Sequence, residues 1–300
     1  MSFFFQQLLN ALQVGSIYAL VSIGYTMVYG VLTMINFAHG DVFMVSSYIA
    51  FFFSIFLLKN VSQYASFLAF PITVFATIIL TSFLAVIIER LAYKPLRNAP
   101  RVSAVITALS VGILLETLTL ALIGPEPRQI PPLIPKVVYN FQGASFSFFQ
   151  ILILGISFLC MVILDFIVYR TKVGMAMRAI SFDKTVVPLM GVPIDRIITA
   201  TFALGAAVAA VGGVIFGSVY SLDPYMGIRI GWWAFIAAVL GGIGNIRGAM
   251  LGGLFLGGIE VFVTAYAASS YRDFIAFAIL LLFLIFKPTG ILGKPQIKKV

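Results

Sequence analysis

Asn36-Phe37-Ala38-His39-Gly40-Asp41 is a short polar stretch that interrupts the most apolar part of the chain. It holds the only histidine of the protein and the only charged side chain before Lys59. Because an ionisable group costs roughly 3 kcal/mol or more in the core of a bilayer, a charge at such a position marks a candidate functional group. The stretch therefore predicts a broken or re-entrant passage between two membrane helices.

The composition around this stretch is that of an integral membrane protein. Apolar residues make up 61% of the 300 residues and charged residues only 10%, against about 25% charged residues in soluble proteins. Most of the chain divides into apolar runs of about 20 residues, the helix length that crosses about 30 Å of hydrocarbon. These runs predict one all-α domain over residues 1–300, a polytopic transmembrane helix bundle of eight or nine spans with broken or re-entrant segments. The candidate spans are 8–30, 41–58, 68–88, 102–124, 148–169, 197–220, 231–246, 249–268 and 274–287.

Basic residues divide the connections between these spans into two groups. Loops 89–101 and 170–196 and the tail from Lys287 are rich in Lys and Arg, so we expect them in the cytoplasm. The loops with few basic residues, which we expect outside, are 59–67, 125–147, 221–230 and 269–273. Nine spans place the N-terminus outside, whereas a re-entrant passage around Thr33 to Asp41 would leave eight and place it inside.

Two distant segments share a glycine-rich design. The segment from Gly24 to Gly30 leads into the polar stretch, and the segment from Gly241 to Gly248 interrupts a later apolar run. Paired interruptions of this kind in two halves of a chain are typical of a transport path, where unwound backbone lines a cavity. They indicate a possible internal repeat, although two tight helix connections would also explain them. His39 itself could line a path or gate, stabilise the packing, or relay protons.

Two further carboxylates, Glu116 and Glu260, lie inside apolar runs. Because a carboxylate facing lipid is costly, we expect both to face the interior of the bundle and to be paired or protonated. Arg247, Asn36 or the other glutamate could be the partner. Either a hydrogen bond that packs two helices or a polar stripe along a transport path would account for them.

Several function classes are excluded by the residues that the chain lacks. The net charge of +9 comes from basic residues in short loops between apolar runs, which suits anionic headgroups and not nucleic acid. The single cysteine, Cys160, and the single histidine leave no disulfide within the chain and no metal or cofactor site. No G-x-x-x-x-G-K-[ST] motif is present to hold phosphates, so any ATP must be hydrolysed by a partner. No enzyme constellation is visible either.

The loop from Arg170 to Arg196 is too long for a simple connection and is expected to be folded. Its apolar residues and its prolines predict two short helices at the cytoplasmic surface. Such helices could anchor the loop to the membrane surface or form a docking surface for another protein.

Four segments carry a resemblance to a known family; they are Gly24 to Asp41 (GYTMVYGVLTMINFAHGD), Arg178 to Gly191, Ala238 to Gly258 (AVLGGIGNIRGAMLGGLFLGG) and Pro288 to Pro295 (PTGILGKP). They resemble the permeases of branched-chain amino acid ABC importers, in particular the LivH type. The resemblance implies a multi-pass subunit of the bacterial cytoplasmic (inner) membrane that moves leucine, isoleucine and valine by alternating access. It also implies four kinds of partner besides the lipid bilayer: a second, homologous permease, two cytoplasmic ATPase subunits that use the ATP, and a periplasmic or surface substrate-binding protein.

The intramembrane polar residues and the glycine-rich segments supply the residues of an expected path, and the resemblance adds a coupling role for one loop. The expected substrate path consists of Tyr29, Asn36, His39, Gly40, Asp41, Glu116, Gly242, Gly244 and Asn245. Loop 170–196 would be the element that couples to the ATPases, through Arg178, Asp183, Lys184 and Gly191. The family pattern has small residues, often Ala-Ala, a few positions before its glycine, whereas here Val186-Val187-Pro188 precede Gly191.

Two other functions compete with this interpretation. Urea and short-amide permeases are close relatives of the same family and would share these motifs. An ion-coupled secondary transporter would instead use Asp41, His39, Glu116 and Glu260 as a coupling relay, and it would transport without any ATPase.

Overall fold

The protein is described by a computed structural model over residues 2–60, 68–97, 99–134, 137–141, 144–267 and 269–293. Within these residues about four-fifths of the chain is helical, which confirms the all-α prediction. The long elements are α1 (Ser2–Leu32), α2 (His39–Asn60), α3 (Ala69–Ile88), α4 (Arg101–Ile123), α5 (Phe148–Arg170), α6 (Lys172–Phe182), α7 (Ile194–Val219), α8 (Met226–Gly241), α9 (Ile246–Tyr266) and α10 (Arg272–Phe286). The short elements are a π turn (Glu89–Tyr93), 3-10 turns (Lys94–Leu96, Val187–Met190 and Ser269–Tyr271) and an antiparallel hairpin of β1 (Val138–Phe141) and β2 (Ala144–Ser147).

Among the described residues, eight helical segments are long and apolar enough to cross a membrane, with α3 counted together with the turns up to Leu96 and α10 together with the turn Ser269–Tyr271. The predicted span 231–246 has the right length but the wrong bounds, because the 16 residues of α8 run from Met226 to Gly241 and so begin and end five residues earlier. At 1.5 Å per residue it is about 24 Å long, which is less than the roughly 30 Å of a bilayer core. The ninth passage is therefore a short helix inside the protein, with an irregular segment between it and α9.

Helix α1 forms the centre of the bundle and packs most closely against α9. Both helices present small residues at their contact: a Cβ placed on Gly15 would lie 2.7 Å from Leu254 Cα, and one on Gly253 would overlap the backbone of Ala19. In lipid, such small faces let two helix backbones approach and pack by van der Waals contact. Helices α3, α4, α5 and α10 surround this core and expose large apolar side chains, as lipid-facing helices do.

The two ends of the bundle differ in charge. Loops 89–101 and 170–196 lie together at one end, which we call the basic end, and Arg97 of the first loop pairs with Asp195 at the start of α7. At this end Lys184 Nζ donates to Leu32 O (2.9 Å) at the end of α1. At the opposite end Gln6 Oε1 accepts from the backbone N of Ser145 in the hairpin (2.8 Å). Helix α1 thus starts at the end opposite the basic loops, as nine passages require.

The connection between α1 and α2 re-enters the bundle. Helix α1 ends at Leu32, but α2 begins with His39, whose ring packs against Gly24 of α1. Gly24 is eight residues before Leu32, or about 12 Å along the helix axis. Residues 33–38 therefore fold back from the basic end towards the middle of the bundle, which confirms the predicted break. The break removes no passage, because α1 and α2 are both of membrane-spanning length, so the alternative of eight spans with the N-terminus inside is not supported.

Candidate functional site

The re-entrant segment 33–38 is held by hydrogen bonds to α1, to α2 and to the turn that follows α3. Thr33, which follows α1, has a positive φ of 54° and donates its backbone N–H to Tyr29 O (2.8 Å). Asn36 is buried, and its Oδ1 accepts from Tyr93 Oη (2.5 Å) in the π turn that follows α3. The carbonyl of Asn36 also accepts from the backbone N of His39 (3.1 Å). The segment is thereby tied at both ends to structured parts of the bundle.

His39, the first residue of α2, is only 2% exposed. Its ring meets the ring of Tyr25 edge-on at 4.9 Å between centroids. A side chain at Gly24 would overlap the imidazole, so the glycine is needed for this packing. The ring has a hydrogen bond with the backbone of Val21, whereas Nε2 has no hydrogen-bond partner among the described residues. The structure thus contains a buried imidazole with one unused polar atom.

Asp41 lies in the first turn of α2, where the helix dipole favours a negative charge. It is 6% exposed, and its Oδ1 has no hydrogen-bond partner among the described residues. Two glycines from other helices make room for the carboxylate, since a Cβ on Gly112 of α4 or Gly227 of α8 would overlap it. Gly40 packs in the same way against the backbone of α8. A buried carboxylate with an oxygen that lacks a hydrogen bond lowers the stability of the fold. Asp41 is therefore a candidate functional group.

Asp41 and Glu116 line the same small cavity, of about 110 Å³. Aromatic side chains form much of its remaining wall, including Tyr25, Phe37 and Trp232. Glu116 is half-buried, and the exposed side chains of Leu109 and Ile113 line the same cavity, so the cavity opens at the surface of the bundle.

The partners suggested for Glu116 are bound elsewhere. Arg247 makes a double salt bridge to Asp165 (2.8 Å for each bond), and Asn36 bonds to Tyr93. Glu260 is paired as predicted, but with groups that the sequence did not indicate: Tyr18 Oη donates to it at 2.5 Å and Arg272 Nη1 at 3.1 Å.

The remaining predicted path residues lie at the basic end and not beside Asp41. Gly242 and Gly244 have φ values of 98° and 96° in the turn between α8 and α9, a region that favours glycine. Asn245 caps α9 by accepting from Gly248 N (3.1 Å), and its Nδ2 donates to Leu292 O (2.9 Å). The turn is thus fixed to the C-terminal segment.

The two glycine-rich segments nevertheless meet. A Cβ on Gly30, near the end of α1, would lie 3.6 Å from Gly244. The residues predicted to form one path therefore lie in two places. One group surrounds the pocket beside Asp41, and the other forms a glycine contact at the basic end of the bundle.

Loop 170–196 is folded as predicted, with α6 followed by the 3-10 turn Val187–Met190. Arg178 stacks over the ring of Tyr169 (5.4 Å to the centroid). Asp183 Oδ1 accepts from the backbone N and the Oγ1 of Thr185 (2.8 and 2.6 Å) and thereby fixes the turn. Gly191 ends it with a φ of 77°.

The sequence prediction missed the most exposed part of this loop. Phe182, Leu189 and Met190 are 82%, 86% and 78% exposed at the basic end. An apolar pair between Pro188 and Gly191 in a basic loop was the available signal. We call Phe182, Leu189 and Met190 the apolar knob.

Comparison with known proteins assigns the sequence to a family. The family model described as "Branched-chain amino acid transport system / permease component" matches residues 7–284. The chain belongs to this family. As a family member with eight apolar helices of membrane-spanning length, it is a multi-pass inner-membrane permease component.

Curated relatives match over nearly the whole chain. The high-affinity branched-chain amino acid transport system permease protein BraD of Pseudomonas aeruginosa is 44% identical over 302 residues, covering 99% of this chain and 98% of the relative. The corresponding LivH protein of Salmonella typhimurium is 42% identical, with the same coverage. The probable permease protein LivM of Methanocaldococcus jannaschii is 25% identical and covers 73% of this chain and 68% of its own length.

Proposed function

We propose that this chain is the membrane permease subunit of an ATP-binding-cassette importer that moves leucine, isoleucine and valine across the cytoplasmic membrane. The observation that carries the proposal is the 44% identity over 99% of the chain to a relative named for high-affinity branched-chain amino acid transport. The whole chain, residues 1–300, would form one permease domain. The direction of transport and the choice of substrate rest on this similarity.

The energy would come from two partner ATPase subunits, because the sequence has no phosphate-binding motif of its own. A second, homologous permease would complete the path, and the similarity to a LivM protein supports a partner of that kind. A periplasmic or surface protein would deliver the substrate. In this arrangement the chain binds no cofactor.

Loop 170–196 would couple the ATPases to the bundle. The apolar knob is the kind of exposed surface that marks a protein interface, and it lies on the loop that carries Arg178, Asp183, Lys184 and Gly191. Lys184 connects this loop to Leu32, the last residue before the re-entrant segment. A movement of the loop would therefore reach segment 33–38 directly.

The re-entrant segment and the pocket behind it would form the moving part of the substrate path. Asn36, His39, Gly40, Asp41 and Glu116 lie in or next to this pocket, where polar groups without partners can exchange contacts as the bundle switches. The predicted residues at the basic end would act as its hinge; these are Tyr29, Gly242, Gly244 and Asn245. Alternating access would then consist of a change in how segment 33–38 packs.

An ion-coupled transporter remains the alternative, because Asp41 and Glu116 share one cavity. The test is radiolabelled leucine uptake in cells with and without the chain, in the presence of a protonophore and with cellular ATP maintained. The proposal expects uptake that resists the protonophore and disappears on deletion. Loss of uptake on adding the protonophore would favour ion coupling, and competition by urea or acetamide but not by valine would move the substrate to the amide class.

A matched pair of glycine variants tests the role of the pocket. In Gly227→Ala the new methyl group meets the Asp41 carboxylate, whereas in Gly155→Ala it meets no atom of the described residues within 4 Å. Overpacking of this kind costs about 1–3 kcal/mol, so Gly227→Ala should slow leucine uptake at equal membrane levels of the chain. Equal uptake by the two variants would show that the pocket beside Asp41 is not part of the transport path.

A further inference from the structure

A second cavity, at the end opposite the basic loops, is larger and more polar than the one beside Asp41. It measures about 360 Å³ and lies between α1, α7, α8, α9 and α10. Ligand pockets for small molecules are typically about 300–1,000 Å³ and combine apolar walls with a few placed polar groups. The size of this cavity therefore fits a small ligand.

The cavity contains charges of both signs. On one side Glu260 accepts hydrogen bonds from Tyr18 Oη (2.5 Å) and from Arg272 Nη1 (3.1 Å). On the other side Arg229 Nη2 donates to Asp223 Oδ2 (2.7 Å). The two clusters come from four helices and one loop, so the packing of the bundle, and no local motif, brings them together.

We propose that this cavity binds the charged main-chain groups of a zwitterionic amino acid, with its α-ammonium at Glu260 and its α-carboxylate at Arg229. The inference rests on the proposed function and adds the site at which the substrate first meets the permease. A carboxylate accepts at several lone pairs, and the two bonds that Glu260 already makes leave room for an ammonium. Arg229 offers five donors, of which the described structure uses one.

The walls between the two clusters suit a branched apolar side chain. Ile17, Phe216 and Ile230 line the cavity and are buried in the protein. Trp233 lies under the guanidinium of Arg272 (5.8 Å between the guanidinium carbon and the ring centroid) and is stacked with Tyr18 (6.1 Å between centroids). These contacts position the two side chains that bind Glu260. The cavity thus presents an acid, a base and an apolar surface, the three features of leucine, isoleucine and valine.

The other polar cavities fit such a ligand less well. The cavity beside Asp41 is about 110 Å³ and its charged groups are both acidic. A cavity at the basic end is about 600 Å³, but it has three arginines for one aspartate and would repel the ammonium group. Only the cavity at the opposite end, among these three, balances the two charges of a zwitterion.

The test measures ligand binding by the purified complex of this chain with its partner subunits in lipid nanodiscs, without the delivering protein. Tritiated leucine is the probe. The competitors are 3-methylbutylamine, which is leucine without its carboxylate, and 4-methylpentanoate, which is leucine without its ammonium. Charge-assisted hydrogen bonds contribute enough that each competitor should bind at least about tenfold more weakly than leucine.

Two variants assign the groups. Arg229→Gln should weaken leucine by at least about tenfold while leaving 3-methylbutylamine unaffected, because that ligand has no carboxylate to lose. Glu260→Gln should do the same for leucine while sparing 4-methylpentanoate. The matched controls are Arg128→Gln and Glu126→Gln, which remove the same charges from exposed positions outside the cavity and should bind leucine as the unchanged complex does.

Three results would overturn the inference. These are leucine binding that neither variant weakens, an equal loss for leucine and for the competitor lacking the matching group, and competitors as strong as leucine itself. The last result needs no variant, so it decides the question even if a variant fails to assemble. The proposed function is tested separately, by uptake in cells. If uptake is driven by ATP and any of these three results is found, the binding site in this cavity is rejected and the proposed function stands.

Discussion

Leu189 in the apolar knob allows a quantitative test of the coupling surface. Its side chain is 86% exposed at the basic end, so replacing it should leave the fold of the permease unchanged. Fully burying a leucine contributes about 1.5–3 kcal/mol. This value limits the binding free energy that Leu189 can contribute when an ATPase subunit covers it. Leu189→Ser should therefore weaken the binding of the ATPase subunits by roughly 10- to 60-fold, which corresponds to about 1.5–2.5 kcal/mol.

The assay is titration of the ATPase subunits onto the immobilised permease pair, read as a dissociation constant. Leu189→Met keeps an apolar side chain of similar volume and should bind within about twofold of the unchanged protein. Tyr225→Ser, a change at the opposite end where the side chain is 51% exposed, is the control for nonspecific effects. An unchanged dissociation constant for Leu189→Ser, or an equal loss for Tyr225→Ser, would refute the assignment of loop 170–196 as the coupling element.

Two further predictions concern stability. Gly253→Ala should lower the thermal stability of the purified protein, because its methyl group would overlap the backbone of Ala19 and cost about 1–3 kcal/mol. The control Gly258→Ala, whose methyl group meets no atom of the described residues within 4 Å, should leave the melting temperature unchanged, and equal melting temperatures of the two variants would contradict the prediction. Asn245→Ala should cost about 1 kcal/mol by removing the cap of α9 and should also free Leu292, whereas Asn245→Ser retains a cap. Both variants lack the Nδ2 that donates to Leu292 O, so both should make the segment around Leu292 more susceptible to protease. Susceptibility no greater than that of the unchanged protein would argue against the tether, and equal melting temperatures of the two variants would argue against the cap.

The sequence predicts those parts of the fold that depend on local patterns. Apolar runs of membrane length predict most of the helices, and the polar residues from Asn36 to Asp41 mark the break before α2 because a charge in an apolar run has few explanations. The glycines from Gly241 to Gly248 mark the second break in the same way. The bounds of α8 are mispredicted by five residues because the apolar pattern runs on across Gly242, where the helix ends and the backbone turns with a positive φ.

The contacts between distant segments could not be predicted. Glu260 was correctly expected to have a partner, but Tyr18 is 242 positions away and no periodicity connects them. The partners suggested for Glu116 were wrong for the same reason, since a single sequence carries no signal for which helices are neighbours. The apolar knob was missed for a different reason: exposure of Leu189 depends on the turn between Pro188 and Gly191, whereas composition alone suggests a buried pair.

The central claim is that partner ATPases drive amino acid movement through this chain. The most direct measurement is leucine accumulation by proteoliposomes that contain the assembled complex, with the delivering protein outside, ATP trapped inside and all ion gradients collapsed. The account predicts accumulation that stops when ATP is replaced by a nonhydrolysable analogue. Accumulation that continues without ATP, or that appears only when a proton gradient is imposed, would contradict it.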